Sequence, residues 1–178
     1  MAGLARRLRH WIVALAPLAS SVALVMATAM PLYLPHVGSV TPQLGVAAVF
    51  YWSIYRPDLM SYGSAFAVGI VADVLSGAPL GITALALVVV RRLVLAQRRF
   101  FLGKPFHVLW SGFLIVALAA SLVVWIASSL YLFTLLAVVP LTLRTLVTVA
   151  LFPVVAWLLA RCQVLLPMPR GMSAVPRG

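Results

Sequence analysis

The sequence predicts an all-α integral membrane protein: one bundle of about six transmembrane helices with both termini cytoplasmic. Three observations predict it. First, 65% of the 178 residues are hydrophobic and only 8% are charged, against roughly 45–50% and about 25% in soluble domains. Second, the apolar residues form long runs broken by Pro, Gly and Arg. Third, Lys and Arg gather at alternate ends of those runs. With 13 Lys and Arg and two acids, the chain cannot clothe a soluble surface in polar side chains, so most of that surface must face lipid.

Span one covers residues 11–34. Arg6, Arg7 and Arg9 before it, and Ala27-Thr28-Ala29 within it, imitate a signal peptide. The apolar run outlasts the ~7–15 residues of a signal h-region and exceeds the ~20 of a span, so it is expected to be the first, uncleaved helix. A loop at 35–42 leads to span two, residues 43–55, which ends at Arg56-Pro57-Asp58. This run is short for a bilayer of ~30 Å; it either begins nearer Val37 or sits where the membrane is thin. Span three is residues 59–76, closed by Gly77-Ala78-Pro79, and span four runs from Leu80 towards Arg99. A basic loop, 98–104, precedes span five at 106–129; span six is 140–160. The domain order is thus a cytoplasmic amino terminus (1–10), a membrane domain (11–165) and a disordered cytoplasmic tail (166–178).

Orientation follows from the basic residues. With the amino terminus inside, Arg6, Arg7, Arg9, Arg56, Arg98, Arg99, Lys104, Arg161, Arg170 and Arg177 are all cytoplasmic, and the loops near 35–42, 77–79 and 130–140 carry no Lys or Arg. Removing the short second span would put the 98–104 loop outside, against this rule. The net charge of +11 therefore serves topology and anionic lipid rather than nucleic acid, which would need a soluble basic face with aromatics set into it.

Span three holds the residues of greatest interest. Ser61, Ala65, Gly69, Asp73 and Gly77 recur every four positions and form one ridge of small side chains, along which a neighbouring helix can approach closely. A carboxylate inside a span costs ~2.5–3.5 kcal/mol at mid-depth and normally faces protein. Asp73 also lies near the carboxyl end of its helix, where the dipole disfavours negative charge. Arg144 is the basic residue outside the cytoplasmic set that stands at matching depth: Asp73 precedes Gly77 by one turn, and Arg144 follows Pro140 by one turn. Both should lie ~6 Å below the same periplasmic surface. An Asp73–Arg144 pair is the expectation; the alternative is that Asp73 caps amides at the start of span four, near Thr83.

Arg91, Arg92, Arg98 and Arg99 are spaced by seven and so share a helix face; with Lys104 they make the cytoplasmic basic contacts. Arg91 and Arg92 are expected to snorkel to the inner headgroups, with docking onto an acidic partner as the functional alternative. Trp11, Tyr33, Tyr51, Trp52, Tyr55, Trp110, Tyr131 and Trp157 are expected mostly at the interfaces. Pro153 is the expected kink of span six. Cys162 is alone and His10, His36 and His107 lie far apart, so neither a disulfide, a metal site nor a cofactor is expected. The chain has no Glu and no nucleophile–base set, so no enzyme is expected.

The run Gly69-Ile70-Val71-Ala72-Asp73-Val74-Leu75-Ser76-Gly77-Ala78-Pro79-Leu80-Gly81 resembles the MreD family, whose pattern here is Gly, three apolar residues, Asp, two apolar residues, then Ser-Gly-x-Pro-Leu-Gly. Pro42 with Tyr51-Trp52, Arg56-Pro57-Asp58-Leu59, the stretch from Gln97 to Lys104, and a last helix with Pro153 ending in Leu158-Leu159-Ala160-Arg161 fit the same family. The resemblance covers about residues 11–165 and carries over Asp73, Gly77, Pro79 and Gly81 as a motif without catalytic roles. It implies an inner-membrane, multi-pass component of the machinery that inserts lateral peptidoglycan in rod-shaped bacteria. Its partners would be an MreC-type membrane protein and, through it, MreB, RodA and the elongation-specific transpeptidase. A second class of function stands beside it: the substrate-binding subunit of a vitamin-type or lipid importer, which the MreD fold is thought to resemble. In that reading Asp73, Arg144, Thr83 and Gln43 would line an outward pocket.

Overall fold

In the computed structural model, the described residues are 2–28, 33–34, 38–39, 41–134 and 137–164, with side chains described for 15–28, 41–134 and 137–163. They form six helices: α1 (Ala2–Thr28), α2 (Leu44–Tyr55), α3 (Tyr62–Ser76), α4 (Ile82–Phe101), α5 (Phe106–Leu132) and α6 (Val138–Val164). Between α1 and α2 lies an antiparallel ribbon, β1 (Tyr33–Leu34) with β2 (Gly38–Ser39), in which Tyr33 faces Ser39 and Leu34 faces Gly38. The first span expected at 11–34 is thereby corrected: the helix begins at Ala2 and ends at Thr28, and residues 33–34 turn into the ribbon. The other helices lie within a few residues of the expected spans, and the tail expected at 166–178 falls outside the described residues.

α2 is the axle of the bundle. Gly45 to Ile54 are all buried, because this helix is apolar on every side and other helices enclose it. That position accounts for its length. Its 12 residues rise only ~18 Å, too little for a bilayer core of ~30 Å. Phe50 packs edge-on against Phe101 at 5.9 Å, Phe113 at 5.2 Å and Phe152 at 5.6 Å, and Phe113 stacks on Phe152 at 4.1 Å. One aromatic cluster thus joins α2, α4, α5 and α6. Gly112 makes room for it, since a Cβ there would fall on the Phe101 ring.

Polar side chains link the remaining faces. Trp52 Nε1 donates to Ser20 Oγ at 3.0 Å, Tyr51 Oη to Gln163 at 2.8 Å, and Ser121 and Thr145 meet at 2.6 Å. Tyr51 and Trp52 are therefore core residues, which corrects their expected interfacial placement. Their neighbours Phe50, Ser53 and Ile54 are buried too, since α2 is enclosed by the other helices. Trp110, Tyr131 and Trp157 do lie exposed.

α5 and α6 are long and apolar enough to cross a membrane, with mean hydropathies of 2.4 and 2.0. Ile115, Leu118, Leu122 and Ile126 form an exposed stripe at helical spacing along α5.

Candidate functional site

The turn joining α3 to α4 is built around Asp73. Its side chain is fully buried. The Gly81 amide donates to Oδ2 at 2.8 Å and the Thr83 amide to Oδ1 at 3.0 Å, so one carboxylate caps the start of α4 from the preceding helix. Its backbone carbonyl closes α3, accepting from the amides of Gly77 and of Ala78, the latter at 3.2 Å. The dipole argument against Asp73 is met here: the carboxyl end of α3 repels its charge, and the amino end of α4 attracts it.

The glycines of the motif follow from this geometry. Gly77 and Gly81 hold φ of 66° and 99°, left-handed conformations that cost a side-chain-bearing residue roughly 1 kcal/mol or more. Gly69 has ordinary φ but no room, because a Cβ would fall on the Ala84 backbone. Ala65, Gly69 and Asp73 are all buried along this contact with α4. Pro79 stands in the turn, its carbonyl accepting from Ile82 N at 3.4 Å.

Arg144 does not pair with Asp73, and the expected ion pair is corrected in favour of the cap. Matched depth fixes height along the bundle but not the direction in which a side chain leaves its helix. Arg144, on α6, borders a chamber of about 220 Å³ with Thr28, Gln43, Gly45, Ser76 and Thr83 among its walls. Asp73 lies outside that lining. Arg144 Nε is buried without a hydrogen-bond partner. Thr148 fixes the α6–α2 contact, accepting from the Gln43 amide at 2.9 Å while its hydroxyl donates to Arg144 O at 2.7 Å.

At the other end of the bundle the arginines of α4 divide. Arg91 is buried, donates to Pro57 O at 3.3 Å and stacks over Tyr62 at 4.8 Å. Arg98 Nε donates to Ile54 O at 2.7 Å, satisfying a terminal carbonyl of α2. Arg92 and Arg99 are exposed, and Lys104 lies 5.8 Å from the Phe100 ring centre. The outward anchor expected of Arg91 is thus corrected; a seven-residue repeat aligns Arg91 with Arg98 and Arg92 with Arg99, on neighbouring but different faces. Arg56 is buried beside Asp58 at 3.7 Å.

Sequence reasoning missed Thr148, Tyr51 with Gln163, and Trp52 with Ser20. The available signal was a polar side chain in mid-helix, which must face protein when a helix is otherwise apolar. Among the described residues no group of three or more His, Cys, Asp or Glu is placed to hold a metal.

Comparison with known proteins agrees with the motif. No curated protein and no solved structure matches the chain. The family model of the rod shape-determining protein MreD matches residues 6–162, the whole helical bundle but for its first and last few residues. That match spans the Asp73 turn, the α2 axle and the arginines of α4, and the chain belongs to the MreD family of rod shape-determining proteins.

Proposed function

We propose that this protein is a non-catalytic, multi-pass scaffold of the bacterial inner membrane that supports lateral peptidoglycan synthesis and so maintains rod shape. The family match across residues 6–162 carries the reading. Two features of the fold support it. The buried carboxylate, Asp73, already accepts two backbone amides, which leaves it poorly placed as a general base. The exposed apolar faces of α5 and α6 belong to helices long enough to span lipid.

Six spans with both termini cytoplasmic accord with the charge distribution. Arg56, Arg98, Lys104 and Arg161 stand at the carboxyl ends of α2, α4 and α6 or just beyond them. The exposed Arg92, Arg99 and Lys104 would meet cytoplasmic partners or anionic headgroups. The partners of this scaffold would be an MreC-type membrane protein and, through it, MreB, RodA and the elongation-specific transpeptidase.

Depletion in the native host, followed by microscopy in rich and in vitamin-limited medium, tests the proposal. Cells should widen, round up and lyse in both media, and the protein should co-purify with an MreC-type partner. Rod-shaped cells that fail only when a vitamin is scarce would overturn it.

A further inference from the structure

The chain has two acidic residues, and both are committed. Asp58 lies 3.7 Å from Arg56, and Asp73 is held by the Gly81 and Thr83 amides. No side-chain carboxylate is left for Arg144. Yet Arg144 Nε is buried without a partner, and the side chain borders the chamber between α1, α2, α3, α4 and α6. A cation only partly exposed at membrane depth, with one nitrogen buried and no carboxylate beside it, favours an anion in the same chamber.

The rest of the chamber suits an anion. Leu44 and Gly45, the first turn of α2, form part of its wall, and Gln43 provides that helix with no side-chain cap. Their amides find no acceptor among the described residues and carry the positive end of the helix dipole. The Thr148 link holds α6 against this turn, which sets the Arg144 side chain and the amides on one space. Thr41 and Thr83 add hydroxyls, and no carboxylate lines the walls. At about 220 Å³ the chamber falls below the roughly 300 Å³ of sites for drug-sized ligands, yet it exceeds several times the ~30 Å³ share of one water.

We propose that this chamber binds a single phosphate-type oxyanion, held by Arg144 with the first amides of α2 and the hydroxyls of Thr41 and Thr83 as further donors. The chamber lies at the end of the bundle that holds the α3–α4 turn and the start of α6, opposite Arg98 and Lys104. That is headgroup depth for a spanning bundle, so the oxyanion is either a phospholipid headgroup or free phosphate. The site needs no partner protein and stands apart from the scaffold reading.

The test uses the full chain in neutral detergent and phosphate-free buffer, with thermal unfolding followed by tryptophan fluorescence. Inorganic phosphate is titrated against chloride at matched ionic strength, and phosphatidylglycerol against phosphatidylcholine in mixed micelles. The wild type should be stabilised by phosphatidylglycerol, by phosphate, or by both. Arg144→Gln should raise the half-saturating concentration by about tenfold or more, and Arg144→Lys and Thr83→Val by less. Arg92→Gln, an exposed cation at the other end, should respond as the wild type does. Without any probe, Arg144→Gln should be no less stable than the wild type, because it removes an uncompensated charge.

A response to phosphatidylglycerol alone identifies a headgroup, and a response to phosphate alone a soluble anion; both support the site. A wild type that responds to neither, or an Arg144→Gln that responds undiminished, overturns it. If Arg144→Gln does not fold, Arg144→Lys and Thr83→Val decide, and wild-type responses from both overturn it.

Discussion

Asp73 directs its hydrogen bonds to the backbone, closing α3 with its carbonyl and opening α4 with its carboxylate. Asp73→Ala would leave two buried amides without acceptors, and bonds to a charged group are each worth roughly 1.5–3 kcal/mol. Thermal unfolding in detergent should show a loss of about 3 kcal/mol or more. Asp73→Asn, which keeps one acceptor oxygen, should lie between the two. Combining Asp73→Ala with Arg144→Leu should not recover the loss, since the two side chains are not partners. Recovery would show that the carboxylate works against Arg144 rather than as a cap. The type and place of this residue were legible in the sequence: a lone carboxylate one turn before a Gly, with Thr83 ahead of it. The choice between its two candidate partners, Arg144 and the amides at the start of span four, was not. Two residues at equal depth on different helices meet only if both point inward at the same azimuth, and the azimuth of α6 depends on packing that no single helix encodes.

α4 shows at the scale of an element what helical spacing does and does not determine. The seven-residue repeat of its arginines implied one shared face, yet at 100° per residue Arg91 and Arg92 diverge, and the packing of α2 and α3 turns Arg91 inward. Arg91 then fastens α4 to the α2–α3 connection through Pro57 O and to α3 through Tyr62. A hydrogen bond to a charged donor and a partly desolvated cation–π contact together contribute about 2 kcal/mol. Arg91→Ala should therefore lower thermal stability clearly, while Arg92→Ala should stay within about 0.5 kcal/mol of the wild type. Equal effects would mean that Arg91 is the surface anchor its sequence position suggests. Helix existence was legible throughout, because each apolar run is bounded by Pro, Gly or Arg. The end of α1 was not, since the apolar run continues past Thr28 into residues that pair as a ribbon. Hydropathy alone does not distinguish a strand from a helix over so few residues.

For the whole molecule, the decisive pattern is polarity from end to end. In the membrane setting proposed above, a bundle gains little from burying apolar side chains, so its cohesion would rest on close packing and interhelical hydrogen bonds. Gly69 against Ala84, the Phe50 cluster, and the Ser121–Thr145 and Tyr51–Gln163 bonds supply both. This cohesion is indifferent to which end faces the cytoplasm; the charges decide that. Arg98, Arg99 and Lys104 cluster at the carboxyl end of α4, while the α5–α6 connection near Thr134 carries no Lys or Arg. Under the proposed topology, the positive-inside rule predicts Lys104 in the cytoplasm and Thr134 outside. The chain has one cysteine, Cys162, so replacing it with Ser gives a background for single reporters. In intact cells, a membrane-impermeant maleimide should label Thr134→Cys and leave Lys104→Cys unlabelled until the membrane is opened. The reversed pattern would invert the orientation and place Arg92, Arg99 and Lys104 where no cytoplasmic partner could reach them. Labelling of both in intact cells would mean that α5 does not cross the bilayer, and the six-span topology would fall with it.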